Sequence, residues 1–216
     1  VGKTNFGVSP EGTVVLSIEN RVDHLPGNFE IMDINNWDDA IKGLRYLLNE
    51  NHNFKNLCID SIDWLEQKCH AKIIGNSNYD INRVNGGFGA GLRESEKLHR
   101  DFIELLEQIR NKKNMSVIST AHVEVKEEKN PDLPSDFDAF QIKMDKRVAS
   151  LWREWADAIL FARHRTFVNK DDRKDGSKKV RAFTDGSRVI YTSNQAFFRA
   201  KNHYGLPPEM DFNLGF

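Results

Sequence analysis

The hydrophobic positions of the chain follow two spacings, one typical of buried β-strands and the other of amphipathic α-helices. Apolar and β-branched runs predict strands at residues 13–18, 57–59, 115–120 and 158–162. Apolar side chains at helical spacing predict helices at residues 37–48, 62–73, 98–109 and 148–155, and a short helix at 5–8. Asn35 or Asn36 is the expected cap of the first long helix. Because strands and helices alternate, we expect an α/β fold with a mostly parallel central sheet flanked by helices.

The last third of the chain has a different pattern. Asp-Gly pairs at 175–176 and 185–186 are typical of hairpin turns and predict antiparallel strands such as 180–184 and 187–192. Two polar stretches, 75–91 and 123–140, have no apolar periodicity and are predicted to be long loops. No internal repeat or linker is visible, so the sequence predicts a single domain over residues 1–216.

Composition limits the classes of protein to consider. The chain has 216 residues, of which 39% are hydrophobic and 29% charged, which is ordinary for a globular protein. Its net charge is -1, so any contact with nucleic acid must come from a local patch. Two cysteines make no disulfide framework. No apolar run approaches the roughly 20 residues of a membrane span, and no signal peptide is visible. We therefore expect a cytoplasmic protein.

Gly2, Lys3 and Thr4 match the second half of the phosphate-binding motif G-x-x-x-x-G-K-[ST]. We expect residues upstream of Val1 to supply a buried strand and the first glycine of this motif. In a complete loop the backbone amides hold phosphates, the lysine reaches the outer phosphates and the hydroxyl binds magnesium. So short a match also arises by chance, and the alternative is a surface lysine near a frayed terminus.

Further polar groups follow the ends of three predicted strands. Asp60 could hold a magnesium–water shell beside the phosphates, or Asp60 or Ser61 could cap the next helix. Glu19 could deprotonate an attacking water, or be a solvated acid. Thr120 and His122 could sense the γ-phosphate, although a lone histidine is more often structural. Because the carboxyl ends of parallel strands form one edge of a sheet, where ligands bind, these groups are expected to lie together.

The order of these motifs resembles that of the phage-type AAA/RecA-like ATPases, nucleotide-binding proteins related to the RecA recombinases and used in phage recombination and single-strand annealing. The resemblance rests on residues 2–4, 17–19, 57–61, 119–122, 151–158 and 200–207, and it covers nearly the whole chain. The last segment is similar to the Lys-Asn-Arg-Phe-Gly element of RecA-like recombination ATPases. The resemblance implies a RecA-like P-loop NTPase fold with antiparallel strands at the C-terminus.

The resemblance also implies roles for the matched residues. Lys3 and Thr4 correspond to the Walker A pair, Asp60 to the Walker B acid and Glu19 to the catalytic carboxylate, with Lys3 assisting catalysis. Thr120 and His122 correspond to the sensor. The implied nucleotide-binding residues are Gly2, Lys3, Thr4, Asn5, Asp60, Ser61, Thr120, His122 and Arg199. The implied cofactors are ATP and Mg2+, the metal being held by Thr4 and Asp60.

A further implied contribution comes from a second subunit. In RecA-like oligomers, basic residues of one subunit reach the γ-phosphate that its neighbour binds. Lys201 matches such a catalytic position, and Arg199 is a nearby candidate. His203 departs from the pattern, because related motifs often carry arginine there and imidazole lacks the bidentate guanidinium fork. We expect a homo-oligomer with nucleotide at its subunit interfaces, and weakened hydrolysis.

RecA-like proteins bind single-stranded DNA with loops, which gives the two predicted loops a role. The first loop and its flanks mix basic with aromatic side chains that could follow phosphates and stack on bases: Lys72, Tyr79, Arg83, Phe88 and Arg93. The second loop is acidic. A denser basic cluster, which could also be a solvated face, lies near the predicted hairpins: Lys170, Arg173, Lys174, Lys178, Lys179 and Arg181.

The sequence thus predicts an ATPase that acts on single-stranded DNA in phage recombination, repair or annealing, inside a bacterial host cell if it is phage-encoded. Phage recombination or single-strand-binding proteins are its expected partners, and no membrane is expected. Two alternatives stay open. One is a nucleotide-gated annealing or interaction scaffold with little hydrolysis. The other is a small-molecule P-loop kinase, although the arginine-rich lid of such kinases is not recognisable.

Overall fold

The computed structural model describes residues 2–129, 135–172 and 178–212, with the backbone alone for 168–172 and 178–182. The described chain divides into two compact units. The first is formed by Gly2–Lys126 and Phe140–Ala156, and the second by Glu127–Ala139 and Asp157–Phe216. Compact units are not by themselves independent domains, so a single domain over residues 1–216 stays a prediction.

The first unit contains the parallel sheet. Its elements up to the last strand of that sheet are α1 (Lys3–Val8), β1 (Thr13–Ser17), β2 (Phe29–Asp33), α2 (Trp37–Asn49), β3 (Asn56–Asp60), α3 (Ile62–Ile74), a 3-10 turn (Val84–Gly86), α4 (Ala90–Lys113) and β4 (Ser116–Ser119). Along the chain, β4 is followed by β5 (Val123–Glu128) and β6 (Phe137–Ile142), whose residues are divided between the two units, and by α5 (Lys146–Trp155) of the first unit. The sheet has the order β2-β1-β3-β4, and every neighbouring pair is parallel. The predicted α/β class is confirmed.

Both faces of the sheet are covered, which explains the uninterrupted apolar runs. Leu16 and Ile59 belong to a large cluster with buried residues of α2, α3, α4 and α5. Val15 and Cys58 point to the opposite side, where they pack with Val8 of α1. All five residues of β1 are buried. Burial on two faces therefore places β1 and β3 at the centre of the unit.

Local sequence signals fix several helix boundaries. Asn36 caps α2, because its side chain accepts a hydrogen bond from the backbone amide of Asp39 at 3.0 Å. The predicted cap is thereby confirmed and placed at the second of the two asparagines. α5 begins after Asp145, whose side chain accepts from the amide of Arg147.

One sequence expectation is corrected in this region, and one strand had not been predicted. The stretch 123–140 is not a single long loop, because β5 and β6 pair into a two-stranded sheet within it. The strand β2 at the edge of the parallel sheet was not predicted. Its residues are half-buried or exposed, so its hydrophobic pattern is weak.

The second unit consists mainly of small antiparallel sheets. Its strands are β7 (Ala158–Ile159), β8 (Phe161–His164), β9 (Phe167–Asp172), β10 (Lys178–Phe183), β11 (Arg188–Tyr191), β12 (Lys201–Asn202) and β13 (Glu209–Asp211). β9 pairs with β10, β12 with β7, and β11 lies between β8 and β13. The predicted antiparallel C-terminal strands are confirmed, and the single strand predicted at 158–162 is divided into β7 and β8.

Of the hairpin predicted at Asp185-Gly186, the turn is confirmed and the pairing of its two strands is wrong. Asp185 accepts from the amide of Ser187 at 2.8 Å, so a turn forms there. The strands on either side of this turn do not pair with each other in the described sheets, since β11 pairs with β8 and β13. The other predicted turn, at 175–176, lies outside the described residues. Among the described helices, none is long and apolar enough to cross a membrane.

Candidate nucleotide site

A close contact between α1 and β3 positions the first part of the site. A Cβ added to Gly7 would lie 2.5 Å from Sγ of Cys58, nearer than any side-chain carbon can approach. Only glycine therefore lets α1 rest this closely on the strand. Burial raises the pKa of the Cys58 thiol well above its usual range, so the sulfur acts as a small apolar packing group. This contact brings the start of α1 beside the carboxyl end of β3.

Asp60, the last residue of β3, accepts hydrogen bonds from two hydroxyl groups. Oγ1 of Thr4 donates to Oδ2 of Asp60 at 3.0 Å. The hydroxyl of Thr120, which follows β4, donates to Oδ1. Asp60 is only 4% exposed, so both contacts are shielded from bulk water. Three predicted site residues from distant parts of the chain therefore meet at one edge of the sheet.

The oxygen atoms of Thr4 and Asp60 suit Mg2+, which prefers oxygen donors and commonly takes one or two protein ligands together with phosphates. Among the described residues, no group of three or more His, Cys, Asp or Glu side chains could hold a metal ion. The fit to Mg2+ rests on the two oxygen donors of Thr4 and Asp60, which lie together as ligands of a phosphate-bound metal would.

Glu19 lies beside this pair, just beyond β1. The backbone amides of Ile18 and Glu19 both donate to the carbonyl oxygen of Asp60, at 3.0 and 3.4 Å. Oγ of Ser61 donates to Oε1 of Glu19 at 2.5 Å. The side chain of Glu19 is only 9% exposed. Ser61 thus contacts the predicted catalytic acid in addition to preceding α3.

His122 extends the network to α3. Its Nδ1 lies 3.0 Å from Oδ2 of Asp63 and 3.6 Å from Oε1 of Glu19. The backbone amide of His122 donates to Oδ1 of Asp63 at 3.0 Å. Sequence reasoning missed Asp63, although Asp60 and Asp63 stand three residues apart at the start of a predicted helix. That spacing alone does not distinguish a site residue from an ordinary acid in a first helical turn.

The remaining predicted residues of the first unit lie at the start of α1. Gly2 caps the helix with φ of 87°, a backbone conformation that favours glycine. Lys3 is the first helical residue, and Lys3 and Asn5 are both half-buried. As at any helix start, the first backbone amides have no acceptor within the helix, an arrangement that favours negative charge nearby.

The predicted trans-acting residues belong to the second unit. Arg199 forms an ion pair with Glu128 of the same chain. Lys201 lies in β12, opposite Ile159 of β7. The backbone amide of His203 donates to the carbonyl oxygen of Asp157 at 3.2 Å. Their roles at a neighbouring subunit stay predictions.

The segment predicted to contact DNA has an unusual backbone. Gly86, Gly87, Phe88 and Gly89 all have positive φ values, and the Phe88 ring is 97% exposed. Arg93 donates from Nη1 to the carbonyl oxygen of Phe88 at 2.8 Å. Two other predicted contact residues, Tyr79 and Arg83, are exposed, whereas Lys72 is paired with Asp38. The side chains of the basic cluster at 170–181 lie outside the described residues.

Comparison with known proteins agrees with this geometry. No curated protein sequence matches the chain. A family model described as an AAA domain matches residues 1–204, nearly the full length. The matched range contains Gly2 to Thr4, Asp60 and the strands of the parallel sheet. AAA domains generally bind ATP with Mg2+, the chemistry that the Thr4 and Asp60 oxygens suit. The chain therefore belongs to the AAA domain family of P-loop ATPases.

Proposed function

We propose that this protein binds and hydrolyses ATP as a RecA-like oligomer that acts on single-stranded DNA in phage recombination, repair or annealing. The site of action would be the cytoplasm of a bacterial host. The observation that supports hydrolysis most directly is the meeting of Thr4, Asp60, Glu19 and His122 at one edge of the parallel sheet. These are a metal-binding hydroxyl, a metal-binding acid, a base and a polar sensor, the parts that phosphoryl transfer to water requires.

The contacts of Glu19 suggest how it would act as the base. Ser61 and His122 both approach Oε1 of Glu19, so Oε2 is the oxygen left to accept a proton from the attacking water. Lys3 would neutralise charge on the outer phosphates during in-line attack. Bound Mg2+ would neutralise charge on the phosphate oxygens. Thr4 would ligate this metal directly and Asp60 would orient its water shell.

A neighbouring subunit would complete the site. Lys201 is proposed to reach the γ-phosphate held by the adjacent protomer, where a cation stabilises the transition state by several kcal/mol. Arg199 is the second candidate. Arg199 forms an ion pair with Glu128, and its side chain is 45% exposed to solvent. Because exposed ion pairs contribute about 1 kcal/mol or less to stability, this pair is easily opened.

Single-stranded DNA is the proposed activator and substrate. Phe88 and Tyr79 are exposed aromatic rings on one loop, and Arg83 adds an exposed cation. The aromatic rings would stack on bases and the arginine would contact phosphates, in both cases without sequence preference. Phage recombination or single-strand-binding proteins are the proposed protein partners.

A nucleotide-gated annealing scaffold with little hydrolysis is the second candidate. It is favoured by His203, which replaces the expected arginine, and by the pairing of Arg199 with Glu128 within its own chain. In that case ATP binding would change DNA binding while turnover stayed slow.

One experiment tests these proposals together. ATP turnover is measured for the wild type and for Lys3→Ala, with and without single-stranded DNA. We expect the wild type to hydrolyse ATP faster when single-stranded DNA is present, and Lys3→Ala to show no ATP hydrolysis. Equal turnover by both proteins would refute the proposed ATPase. DNA-dependent nucleotide binding without turnover would support the scaffold, and a phosphorylated small-molecule acceptor would identify a kinase.

A further inference from the structure

A buried carboxylate that belongs to none of the matched motifs contacts the proposed sensor. Asp63 is 3% exposed, and its two oxygens accept from the same residue, one from the backbone amide and one from the ring of His122. We propose that Asp63 is a positioning residue, which fixes the ring orientation and the tautomer of His122 and thereby keeps Glu19 available as a base. This inference rests on the proposed function.

The contact determines which ring nitrogen carries hydrogen. A carboxylate has no hydrogen to donate, so Nδ1 of His122 must carry the hydrogen in its 3.0 Å contact with Asp63. In the neutral ring Nε2 then has the lone pair. The ring is 42% exposed, so this lone pair can accept from water or another donor. Because the backbone amide of His122 is held by the same carboxylate, the ring has little freedom to turn.

The same hydrogen decides the state of Glu19. Oε1 of Glu19 lies 3.6 Å from Nδ1 of His122, beyond the length of a normal hydrogen bond, whereas Asp63 lies at 3.0 Å. Asp63 therefore takes the Nδ1 hydrogen and Glu19 does not. Without the Asp63 carboxylate, the imidazole would turn its N–H toward Glu19. A base that already accepts from Ser61 and then also from His122 would be a poorer proton acceptor.

A purely structural role for Asp63 makes a different prediction. An acid in the first turn of a helix stabilises the helix, and its loss would lower stability without acting through His122. Glu66 offers a matched control, because it is also buried on α3 and accepts a backbone amide, that of Asp145, at 3.0 Å. Asp63→Asn and Glu66→Gln are each isosteric and remove one buried carboxylate from the same helix.

The kinetic test compares these variants in the full chain. We expect Asp63→Asn to lower kcat by about tenfold or more while leaving KM for ATP unchanged, and Glu66→Gln to change neither. In a His122→Ala background Asp63→Asn should cause no further loss, because the residue acts through His122. The proposal is overturned if Asp63→Asn keeps the wild-type kcat, or if it lowers kcat equally in both backgrounds.

A spectroscopic test needs no turnover. Nitrogen NMR of protein that is isotope-labelled at the ring nitrogens of histidine reports the tautomer of each ring directly. The signals of His122 are assigned by their loss in His122→Ala. We expect a hydrogen on Nδ1 in the wild type and on Nε2 in Asp63→Asn, where the ring is no longer held by a carboxylate and turns this N–H toward Glu19. A wild-type ring protonated only on Nε2 would overturn the proposal, even if the variant failed to fold. If the wild type turned over no ATP, the proposed function would fail while this measurement still decided the role of Asp63.

Discussion

Thr4 and Asp60 are 56 positions apart in the chain, yet Oγ1 of the threonine donates to Oδ2 of the aspartate at 3.0 Å. In P-loop NTPases the corresponding hydroxyl and carboxylate hold the same magnesium ion. The hydroxyl ligates the ion directly, and the carboxylate, which is the Walker B acid, orients its water shell. Their direct contact places both oxygens where one metal could meet them, since no bulky group separates the two.

The first prediction concerns this hydroxyl. Thr4→Val keeps the shape of the side chain but cannot ligate a metal or donate to Asp60, whereas Thr4→Ser keeps the hydroxyl. We expect Thr4→Val to weaken Mg-ATP binding by about 2 kcal/mol, roughly thirtyfold in Kd, and Thr4→Ser to bind nearly as the wild type does. Titration calorimetry with Mg2+ and with EDTA is the measurement. An equal loss in EDTA would contradict a metal-linked role.

The second prediction concerns the close approach of α1 to β3. A methyl group at Gly7 would overlap Sγ of Cys58, so Gly7→Ala should lower the free energy of unfolding by about 1–3 kcal/mol and weaken ATP binding. Gly43→Ala is the matched control, since its methyl would meet the end of the Leu16 side chain at 3.2 Å. Both changes gain the same helix propensity.

Urea unfolding and ATP binding of the two glycine variants are compared directly. Cys58→Ala added to Gly7→Ala should recover part of the lost ATP binding, because it removes the overlapping sulfur. If Gly7→Ala behaved like Gly43→Ala, the packing of α1 would not control the nucleotide site.

The third prediction concerns the exposed ring of Phe88. Removing it costs no buried surface, so Phe88→Ala should leave the thermal midpoint unchanged while weakening single-stranded DNA binding by about 1–3 kcal/mol. Tyr46→Ala removes an exposed aromatic ring from α2 and should have no such effect. Fluorescence anisotropy with a labelled oligonucleotide gives the affinities. Equal DNA affinity in wild type and Phe88→Ala would exclude stacking on this ring.

The fourth prediction tests whether Lys201 acts across a subunit interface. Lys3→Ala and Lys201→Ala should each lack turnover as pure proteins. A mixture of the two should regain turnover, because some interfaces then pair an intact phosphate loop with an intact Lys201. ATP hydrolysis is measured against mixing ratio, with wild type mixed with Lys3→Ala as the reference. No recovery in mixed oligomers would argue against a trans role.

The fifth prediction concerns a buried histidine outside the nucleotide site. His99 is fully buried, and its Nδ1 accepts from Nε1 of Trp152 at 3.2 Å. Burial, and secondarily the charge of His70, lower the pKa of His99 from 6.5 to about 3. The folded state therefore binds fewer protons than the unfolded state between these values. The contribution of the neutral His99 ring to folding stability is therefore complete above pH 6.5 and is lost as the pH falls toward 3.

His99→Gln isolates this effect, because the variant lacks the titrating imidazole. The contributions of all other ionisable groups are the same in wild type and variant and cancel when the two stabilities are subtracted. The stability difference between wild type and variant should fall by about 1.4 kcal/mol for each pH unit below 6.5. Urea unfolding at pH 7.5, 6 and 5 measures it. A difference that does not change with pH would mean that His99 titrates normally in the folded state.

The positions of Asp60 and Glu19 at strand ends could be predicted from the sequence, because buried strands of a parallel sheet leave a continuous apolar run. Asp60 directly ends such a run, and Glu19 follows another. The contacts of Ser61 with Glu19 and of Asp63 with His122 could not be read in the same way. A polar residue at a helix start is explained locally as a cap, so nothing in the pattern distinguishes a second function.

The loop predicted at 123–140 shows why a short, exposed pair of strands is missed. Val123 and Val125 alternate with charged residues, but both are about half exposed, so the alternation does not mark a buried face. The prolines and acids that follow then favour a loop over a strand. The pairing of β11 with β8 and β13 is equally hidden, since pairing between distant strands leaves no local mark.

By itself the sequence determined the alternation of strands and helices, the half motif at Gly2 to Thr4 and the acids at strand ends, because each of these depends on neighbouring residues along the chain. Only the tertiary structure decided that Gly7 brings Thr4 to Asp60, and that Asp63 takes the His122 hydrogen in place of Glu19. Those relationships depend on differences of less than an ångström in the contacts between residues more than 50 positions apart, and packing alone sets such distances.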